Sequence, residues 1–418
     1  MEFSKKVTDL AVEAEGKLAD IFSDIDKTAF DNTSKIMDAY REFRVSDTMF
    51  NPTSGYGYDD HGREVMDRIF ARVTGAEAAF VRHNIVNGTQ AITIGLFGLL
   101  RPGDLMLSIA GKPYDTLEEV IGIGGKNGNG SLADFGVDYE KIDLLPDGGF
   151  DFEAIGRKLD ENLARVKVVF IQRSKGYLNR KTLSVSEIGE AVKFVKARVK
   201  DVYVVVDNCY GEFVERIEPT AVGADMIIGS LIKNPGGGMA ETGGYIAGST
   251  RAVELASYRL TSVGTGVEVG ATLGLNKSLY KGLFYAPHTV AQALKTAHLA
   301  AYIFEALGYV VEPRYDVPRH DIIQTVITGS ADKLCAFCRG IQKGSPVDAF
   351  VTPEPWDMPG YADQVIMAAG AFTQGSSIEL SADGPLRAPY TAFFQGGLTY
   401  ESGKIGILSA AEEMLATK

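Results

Sequence analysis

Three short stretches carry residues whose types and spacing could do carbonyl chemistry. Lys233 lies in GSLIKNPGGGMAETGGYIAG, residues 229–248, after the apolar DMIIGS and ahead of a run of glycines. A lysine beside a desolvated cleft can lose its proton at accessible pH and attack an aldehyde; the plain alternative is a solvated turn lysine. Asp207 closes the strand-like DVYVVVD, 26 positions earlier (233 minus 207). A carboxylate emerging from such a run is desolvated and needs a cation or a hydrogen bond to stay ionised. Taken alone it reads first as a cap for the turn DNCYGE. The third stretch, NGTQA, lies between the strand AAFVRHNI and the helical AITIGLFGLL. Gly88 lets the backbone approach closely, Thr89 offers a hydroxyl, and the N–H groups of a helix start hold a phosphate without a basic residue. A simple N-cap by Asn87 or Thr89 is the competing role. In this order the three ask for one ligand: a phosphorylated pyridine aldehyde needs a phosphate site, an acid facing its ring nitrogen and a lysine for the Schiff base.

Rival chemistries fit less well. IGIGGKNGNGS, residues 121–131, is rich in glycine but follows the helical TLEEVIG rather than a strand, so it reads as a mobile surface connection, not a dinucleotide loop. No G-x-x-x-x-G-K-[ST] occurs. Ser230 and Lys233 form an S-x-x-K, yet Asn234-Pro235-Gly236 follows at once and disfavours the helix that a serine acyl-transfer site needs. Cys335 and Cys338 make a C-x-x-C inside the helical ADKLCAFCRGI with no second ligand pair nearby, which indicates packing thiols. The five histidines lack metal-ligand spacing, and no metal is expected.

The elements that must position these residues follow from the pattern of the whole chain. Its 418 residues, 45% hydrophobic, suffice for two to three cores. Lys and Arg total 42 against 54 Asp and Glu, a net charge of -12, so no electrostatic footprint for nucleic acid or anionic lipid is expected. The longest strongly apolar run, Ala91 to Leu100, is half of what a membrane helix needs, and the N-terminus lacks the pattern of a signal peptide. With three cysteines in so long a chain, a cytoplasmic protein is the expectation. Residues 1–45 place Val7, Leu10, Ala14, Leu18, Ile21 and Ile25 on one helical face, an N-terminal arm expected to pack on a neighbouring domain or subunit. Residues 46–285 alternate helices with uniformly apolar strands, which predicts a large α/β domain with a mostly parallel central sheet and a ligand at the carboxyl ends of its strands. Residues 286–418 read as a smaller C-terminal α+β domain, with a long helix HTVAQALKTAHLAAYIFEAL, a helix ADKLCAFCRGIQK, and strands YVVEP, DIIQTVITG, VDAFVTPE and QVIMAAGAF.

FNPTSGYGYDDHGRE, HNIVNGTQA, GKPYDT, FIQRSKGY, VDNCYGEF, SLIKNPGGGMAETGGYIAG, SSIELSADGPLRAPY and QGGLTY together give a specific resemblance over nearly the whole chain. The chain resembles the fold-type I pyridoxal phosphate enzymes of cysteine and methionine metabolism, and within them the methionine gamma-lyase-like, cystathionine beta-lyase-like family of aluminium resistance proteins. The resemblance implies pyridoxal 5'-phosphate as cofactor, Lys233 as its Schiff-base lysine and Asp207 as partner of the pyridine nitrogen. It implies Gly88, Thr89 and Ser230 as phosphate ligands and Tyr114 as the aromatic stacked on the ring. Tyr114 also sits just past DLMLSI, where an aromatic face could cover a planar cofactor. In the lyases a Tyr-x-Arg segment of a neighbouring subunit completes the phosphate site. Here Tyr56-Gly57-Tyr58-Asp59 stands in its place, with Arg63 the nearest arginine, so Tyr56 and Tyr58 are the candidates. Arg387, in a loop of the small domain, suits a bidentate clamp on an amino-acid carboxylate.

The implied reaction is carbon–sulfur elimination from an amino acid, giving thiol, ammonia and keto acid, with Tyr114 or Tyr56 protonating the leaving sulfur. The same parts would serve an aminotransferase or an aldolase, and a non-catalytic cofactor-binding regulator would need an appended module that is not visible. The arm and the interface tyrosines imply a homodimer or homotetramer.

Overall fold

Uniformly apolar runs in the first two thirds of the chain become strands of one sheet, buried on both faces. The computed structural model describes residues 2–124, 128–178, 180–358 and 363–417. In chain order the elements are α1 (Lys5–Glu42), α2 (His61–Thr74), β1 (Ala78–Arg82), α3 (Gly88–Leu99), β2 (Leu105–Ser108), α4 (Thr116–Ile121) and β3 (Asp138–Lys141). Then come α5 (Phe152–Glu161), β4 (Val166–Gln172), α6 (Val185–Arg198), β5 (Tyr203–Asp207), β6 (Met226–Ser230), β7 (Gly244–Gly248) and α7 (Thr250–Leu260). The chain ends with α8 (Asn276–Ala306), β8 (Val310–Glu312), β9 (Gln324–Ile327), α9 (Ala331–Lys343), β10 (Val365–Ala368), β11 (Ser381–Pro385), β12 (Thr391–Gln395) and α10 (Tyr400–Ala416).

The chain divides into two compact units. One comprises Ser34–Leu231 and Ala240–Lys281. Its seven strands run in the order β1-β7-β6-β5-β4-β2-β3, parallel from β6 to β3. β7 lies antiparallel to both β6 and β1. The α/β expectation with a mostly parallel sheet therefore holds. The strand unseen in the sequence is β3, whose DYEK is charged because it forms the sheet edge, where exposed apolar residues would invite further pairing. Phe80, Met106, Phe170, Val205 and Ile228 of the strands close a core with Ile92 and Leu96 of α3.

The other unit comprises the chain up to Thr33, the segment Ile232–Met239 and the chain from Gly282 onward. Its antiparallel sheet has the order β10-β11-β12-β9-β8. Val7, Ala11, Ala14 and Leu18 of α1 are buried in its core with Phe304, Phe337 and Met414, which accounts for the apolar face of the arm. Two expectations need correction. VDAFVTPE, residues 347–354, is irregular rather than a strand. Strands β11 and β12 take its place in the sheet, and their SADGP and TAFFQ hide from a pattern search behind a glycine, a proline and a polar residue at each free end. The long helix also starts earlier than expected and runs through Pro287. Cys335 and Cys338 are buried, unbridged thiols in α9, and burial pushes both thiols up. Residues 125–127 of the glycine-rich IGIGGKNGNGS lie outside the described residues. Among the described residues no helix is long and apolar enough to cross a membrane, and no group of His, Cys, Asp or Glu could hold a metal ion.

Helices α9 and α10 pack closely because Gly340 offers no side chain: a Cβ there would run into the backbone of Ala410. Gly340→Ala is accordingly expected to destabilise the protein by about 1–3 kcal/mol, measured by urea unfolding. His298 of α8 is buried, with Nδ1 2.7 Å from the Tyr315 carbonyl. Burial, aided by Arg319, pushes its imidazole down from 6.5 to about 3. Because the folded value is the lower one, stability from keeping this ring neutral is complete above pH 6.5 and is lost as pH falls toward 3. His298→Asn, which keeps a donor for Tyr315 but does not titrate, should flatten the dependence of unfolding free energy on pH in that window by up to about 1.4 kcal/mol per pH unit.

Candidate active site

The carboxyl ends of β4, β5 and β6 and the first turn of α3 come together at one edge of the large sheet. Asn87 caps α3, its Oδ1 accepting from the Gln90 N–H at 2.8 Å, so that the cap role weighed from the sequence is real. It does not occupy the N–H groups of Gly88 and Thr89. A Cβ built on Gly88 would touch Cys209 Sγ at 3.4 Å and Ser230 Cβ at 3.7 Å, so the bare backbone of the helix start approaches the ends of β5 and β6 directly. Thr89 Oγ1 lies 2.8 Å from Thr116 Oγ1 at the start of α4. Ser230, the last residue of β6, is 1% exposed.

Asp207 ends β5, in register with Gln172 of β4 and Ile228 of β6, and is buried. Its Oδ1 accepts from the Cys209 N–H at 3.2 Å. The turn behind it is held by a buried ionic cluster. Arg173, fully buried, donates to Asn208 Oδ1 at 2.8 Å and to Glu215 Oε1 at 2.7 Å, with Glu218 at 3.5 Å. Glu218 in turn accepts from the Asn208 amide at 2.9 Å and the Phe213 N–H at 2.9 Å. Burial raises the Glu218 carboxyl, and Arg173 opposes that shift. Tyr210 and Phe213 take positive φ of 73° and 61°, costly for such side chains, and the cluster fixes both.

Tyr114 is half-buried between β2 and α4. Its N–H donates to Gln172 Oε1 at 2.6 Å, and its ring lies 5.8 Å from that of Tyr177. Gly176, at φ 56°, brings the chain against the same ring: a Cβ there would meet Tyr114 Cδ2 at 3.2 Å. Sequence reasoning missed this support. Gln172, the buried cation Arg173 and Lys175, 1% exposed, all follow the apolar strand VKVVFI directly. Polar residues at the carboxyl end of an apolar strand are the same signal that singled out Asp207.

The segment carrying Lys233 belongs to the other unit. Lys233 precedes a 3-10 turn, Asn234–Gly236, and Gly237 and Gly238 follow with φ of 54° and 74°. A Cβ on Gly237 would run into α8 at Gly282, and Thr289 of α8 donates to the Gly237 carbonyl at 3.2 Å. The glycines are thus required for close packing on α8. In the chain, Leu231 and Ile232 lie between Ser230 and Lys233.

Tyr56, Tyr58 and Arg63 belong to the same unit as Asp207, and Arg387 to the other. Tyr56 and Tyr58 are 75% and 59% exposed, with rings stacked at 5.7 Å. Arg63 is buried and occupied, donating to the carbonyls of Gly57 at 2.7 Å and Gly270 at 2.6 Å, so it holds their loop rather than facing an anion. Arg387 lies in the hairpin turn between β11 and β12, exposed and paired with Asp363 at 3.0 Å.

Comparisons with known proteins agree with this architecture. The sequence model for methionine gamma-lyase matches residues 7–415. The uncharacterized protein YnbB of Bacillus subtilis (strain 168) is 51% identical over 405 residues, 97% of this chain and 96% of its own length. The crystal structure of a carbon-sulfur lyase involved in aluminum resistance from Clostridium novyi NT is 50% identical with a TM-score of 0.94, covering 98% of this chain and 96% of that one. At 15% identity, the pyridoxal-5'-phosphate dependent protein YhfS of Escherichia coli shares the fold alone, with a TM-score of 0.63 over 94% of this chain and 97% of its own. By fold and by sequence along nearly its whole length, the chain belongs to the methionine gamma-lyase family.

Proposed function

We propose that the protein is a pyridoxal 5'-phosphate-dependent carbon–sulfur lyase acting on a sulfur-containing amino acid. The observation that carries the reading is the approach of the bare α3 N-terminus at Gly88 to Ser230 and Cys209, with Asp207 buried at the adjacent strand end. A phosphorylated pyridine fits that donor set: backbone N–H groups and a hydroxyl for the phosphate, a carboxylate for the ring nitrogen and a half-buried tyrosine for the ring face. The name of the Clostridium novyi relative supports the reaction class.

When bound, the cofactor supplies an aldehyde for amines and a cationic ring that accepts electrons from the substrate. The N–H groups of Gly88 and Thr89 and the Ser230 hydroxyl would hold the phosphate. The Asp207 carboxylate would keep a proton on the ring nitrogen, and Arg173 locks the turn that follows this carboxylate. The Tyr114 ring, whose backbone Gln172 holds, would cover the pyridine face. The Lys233 amine would hold the cofactor's aldehyde, and as a free base it would accept the proton of the substrate Cα. A phenol, Tyr114 or Tyr56, delivers a proton to the departing sulfur, and with one water consumed the products are thiol, ammonia and keto acid. Tyr56 and Tyr58, exposed on a clamped loop, complete the phosphate site of a second copy in a homodimer or homotetramer.

Borohydride treatment of the yellow protein followed by peptide mapping should place the reduced label on Lys233; label on another lysine overturns the assignment. Lys233→Ala should lower kcat about 10²- to 10⁴-fold. Incubation with methionine, cystathionine or cysteine should release thiol and keto acid together. Keto acid without thiol, formed only when a keto-acid acceptor is present, would mean transamination instead.

A further inference from the structure

The face of the small sheet turned away from its core carries buried oxygen atoms that lack partners. Leu380, Ala382, Ala392 and Phe394 are buried in the core shared with α9 and α10. Their neighbours Ser381 on β11 and Gln395 on β12 stand directly opposite one another and face the other way. Ser381 Oγ and Gln395 Oε1 are buried and have no hydrogen-bond partner among the described residues, and the same is true of Ser377 Oγ. Gln395 and Ser377 are only 5% and 7% exposed. Gly396, at φ 92°, brings them together: it follows Gln395, and a Cβ there would run into the Ser377 carbonyl. Buried polar atoms are nearly always paired, so three orphans around one turn mark the place of a ligand.

The chemistry of the three atoms sets the sign of that ligand. An amide oxygen only accepts, and each serine hydroxyl offers lone pairs as well as its proton, so the set suits a cation and the amide oxygen repels an anion. Asp383 lies two residues along β11 from Ser381, on the same face. The five strands of this sheet, VVE, QTVI, VIMA, SADGP and TAFFQ, contain no lysine or arginine. A carboxylate on strands without a basic residue attracts positive charge. Calcium and magnesium are held through direct carboxylate ligands, and transition metals favour nitrogen and sulfur. Neutral hydroxyl, amide and carbonyl oxygens are instead the donors that replace water around a monovalent ion.

We propose that Ser377, Ser381 and Gln395 bind a monovalent cation, potassium or ammonium. Ammonium, the nitrogen product of the proposed reaction, carries the same charge and has N–H donors for the same oxygens. The site backs the turns that pack on the Lys233 segment: a Cβ on Gly238 would run into Leu398, and one on Gly375 would meet Ile232 Cδ1 at 3.7 Å. Gly397 donates its N–H to the Ile378 carbonyl at 3.0 Å, so the two turns are already joined once. An ion shared by Ser377 and the β11–β12 pair joins them a second time. Its binding does not depend on Lys233 carrying a cofactor.

The test uses the holoenzyme dialysed into tetramethylammonium chloride, whose methyl groups keep it off oxygen ligands. At equal ionic strength, about 0.1 M potassium or ammonium chloride should raise the midpoint of thermal unfolding by at least about 2 °C and saturate with concentration. A shift with potassium supports a bound metal ion, and a shift with ammonium alone supports a hydrogen-bonded one. Equal midpoints in all three salts overturn the proposal. Gln395→Leu and Ser381→Ala should each weaken the cation at least about tenfold. Gln395→Glu, near in shape but anionic, should tighten it about tenfold, and it decides the matter if Gln395→Leu does not fold. Weaker cation binding in Gln395→Glu, or binding unmoved by all three changes, counts against these oxygens as ligands. Anomalous scattering from crystals soaked in thallium(I), a heavy stand-in for potassium, should place the ion among Ser377, Ser381 and Gln395. Thallium found only elsewhere overturns the assignment even where the midpoint shifts.

Discussion

The Arg173 guanidinium, shut away from water behind β4 and β5, is the interaction on which the large unit's functional edge depends. It ties Asn208 and Glu215 and lies close to Glu218. Through them it holds a turn containing two residues with left-handed backbone. An unpaired buried cation would be strongly destabilising, and so would Glu218 stripped of its partner, so the members of this cluster stand or fall together. The benefit is directional. Asp207 emerges from a rigid strand into a rigid turn, and a carboxylate that cannot swing keeps its field pointed at one place.

Glycine sets the second constraint. Gly88 admits the helix start to the strand ends, and Gly237 and Gly238 admit the Lys233 segment to α8 and to Leu398. At Gly237 the backbone itself is the packing surface and even one methyl group would run into Gly282, whereas at Gly88 a methyl would make ordinary contact with Cys209 and Ser230. The glycines after Lys233 at 237 and 238 are therefore a packing requirement of the small unit.

Much of this was legible in the sequence because the large sheet is parallel and buried. AAFVR, VKVVFIQ, YVVVD and MIIGS are apolar throughout, and their polar last residues stand out against that background. The edge strand β3 and the small-sheet strands β11 and β12 were not legible. Their residues answer to neighbours distant in the chain: DYEK to an open edge, SADGP and TAFFQ to one polar and one apolar face. Within the site, Gln172 and Arg173 escaped notice since their roles lie in hydrogen bonds to Tyr114 and to the turn at Asn208. The position of Arg387 was likewise not legible. An arginine in a small-domain loop suggested a clamp, yet which end of a hairpin it occupies depends on strand register, and a single chain of letters does not display register.

The loop of Tyr56 and Tyr58 combines high exposure with firm anchorage, held by Arg63 from beneath and by the Gly270 N–H, which donates to the Tyr56 carbonyl at 2.8 Å. Exposed aromatic rings on a slack loop would lose much of their contact energy to ordering on association. Here hydrogen bonds within the chain already hold the loop backbone, so a covering surface would desolvate two large rings with less entropic loss. Such a patch favours long-lived assemblies over fleeting encounters, and its tyrosines keep a polar tip for whatever lies at the seam.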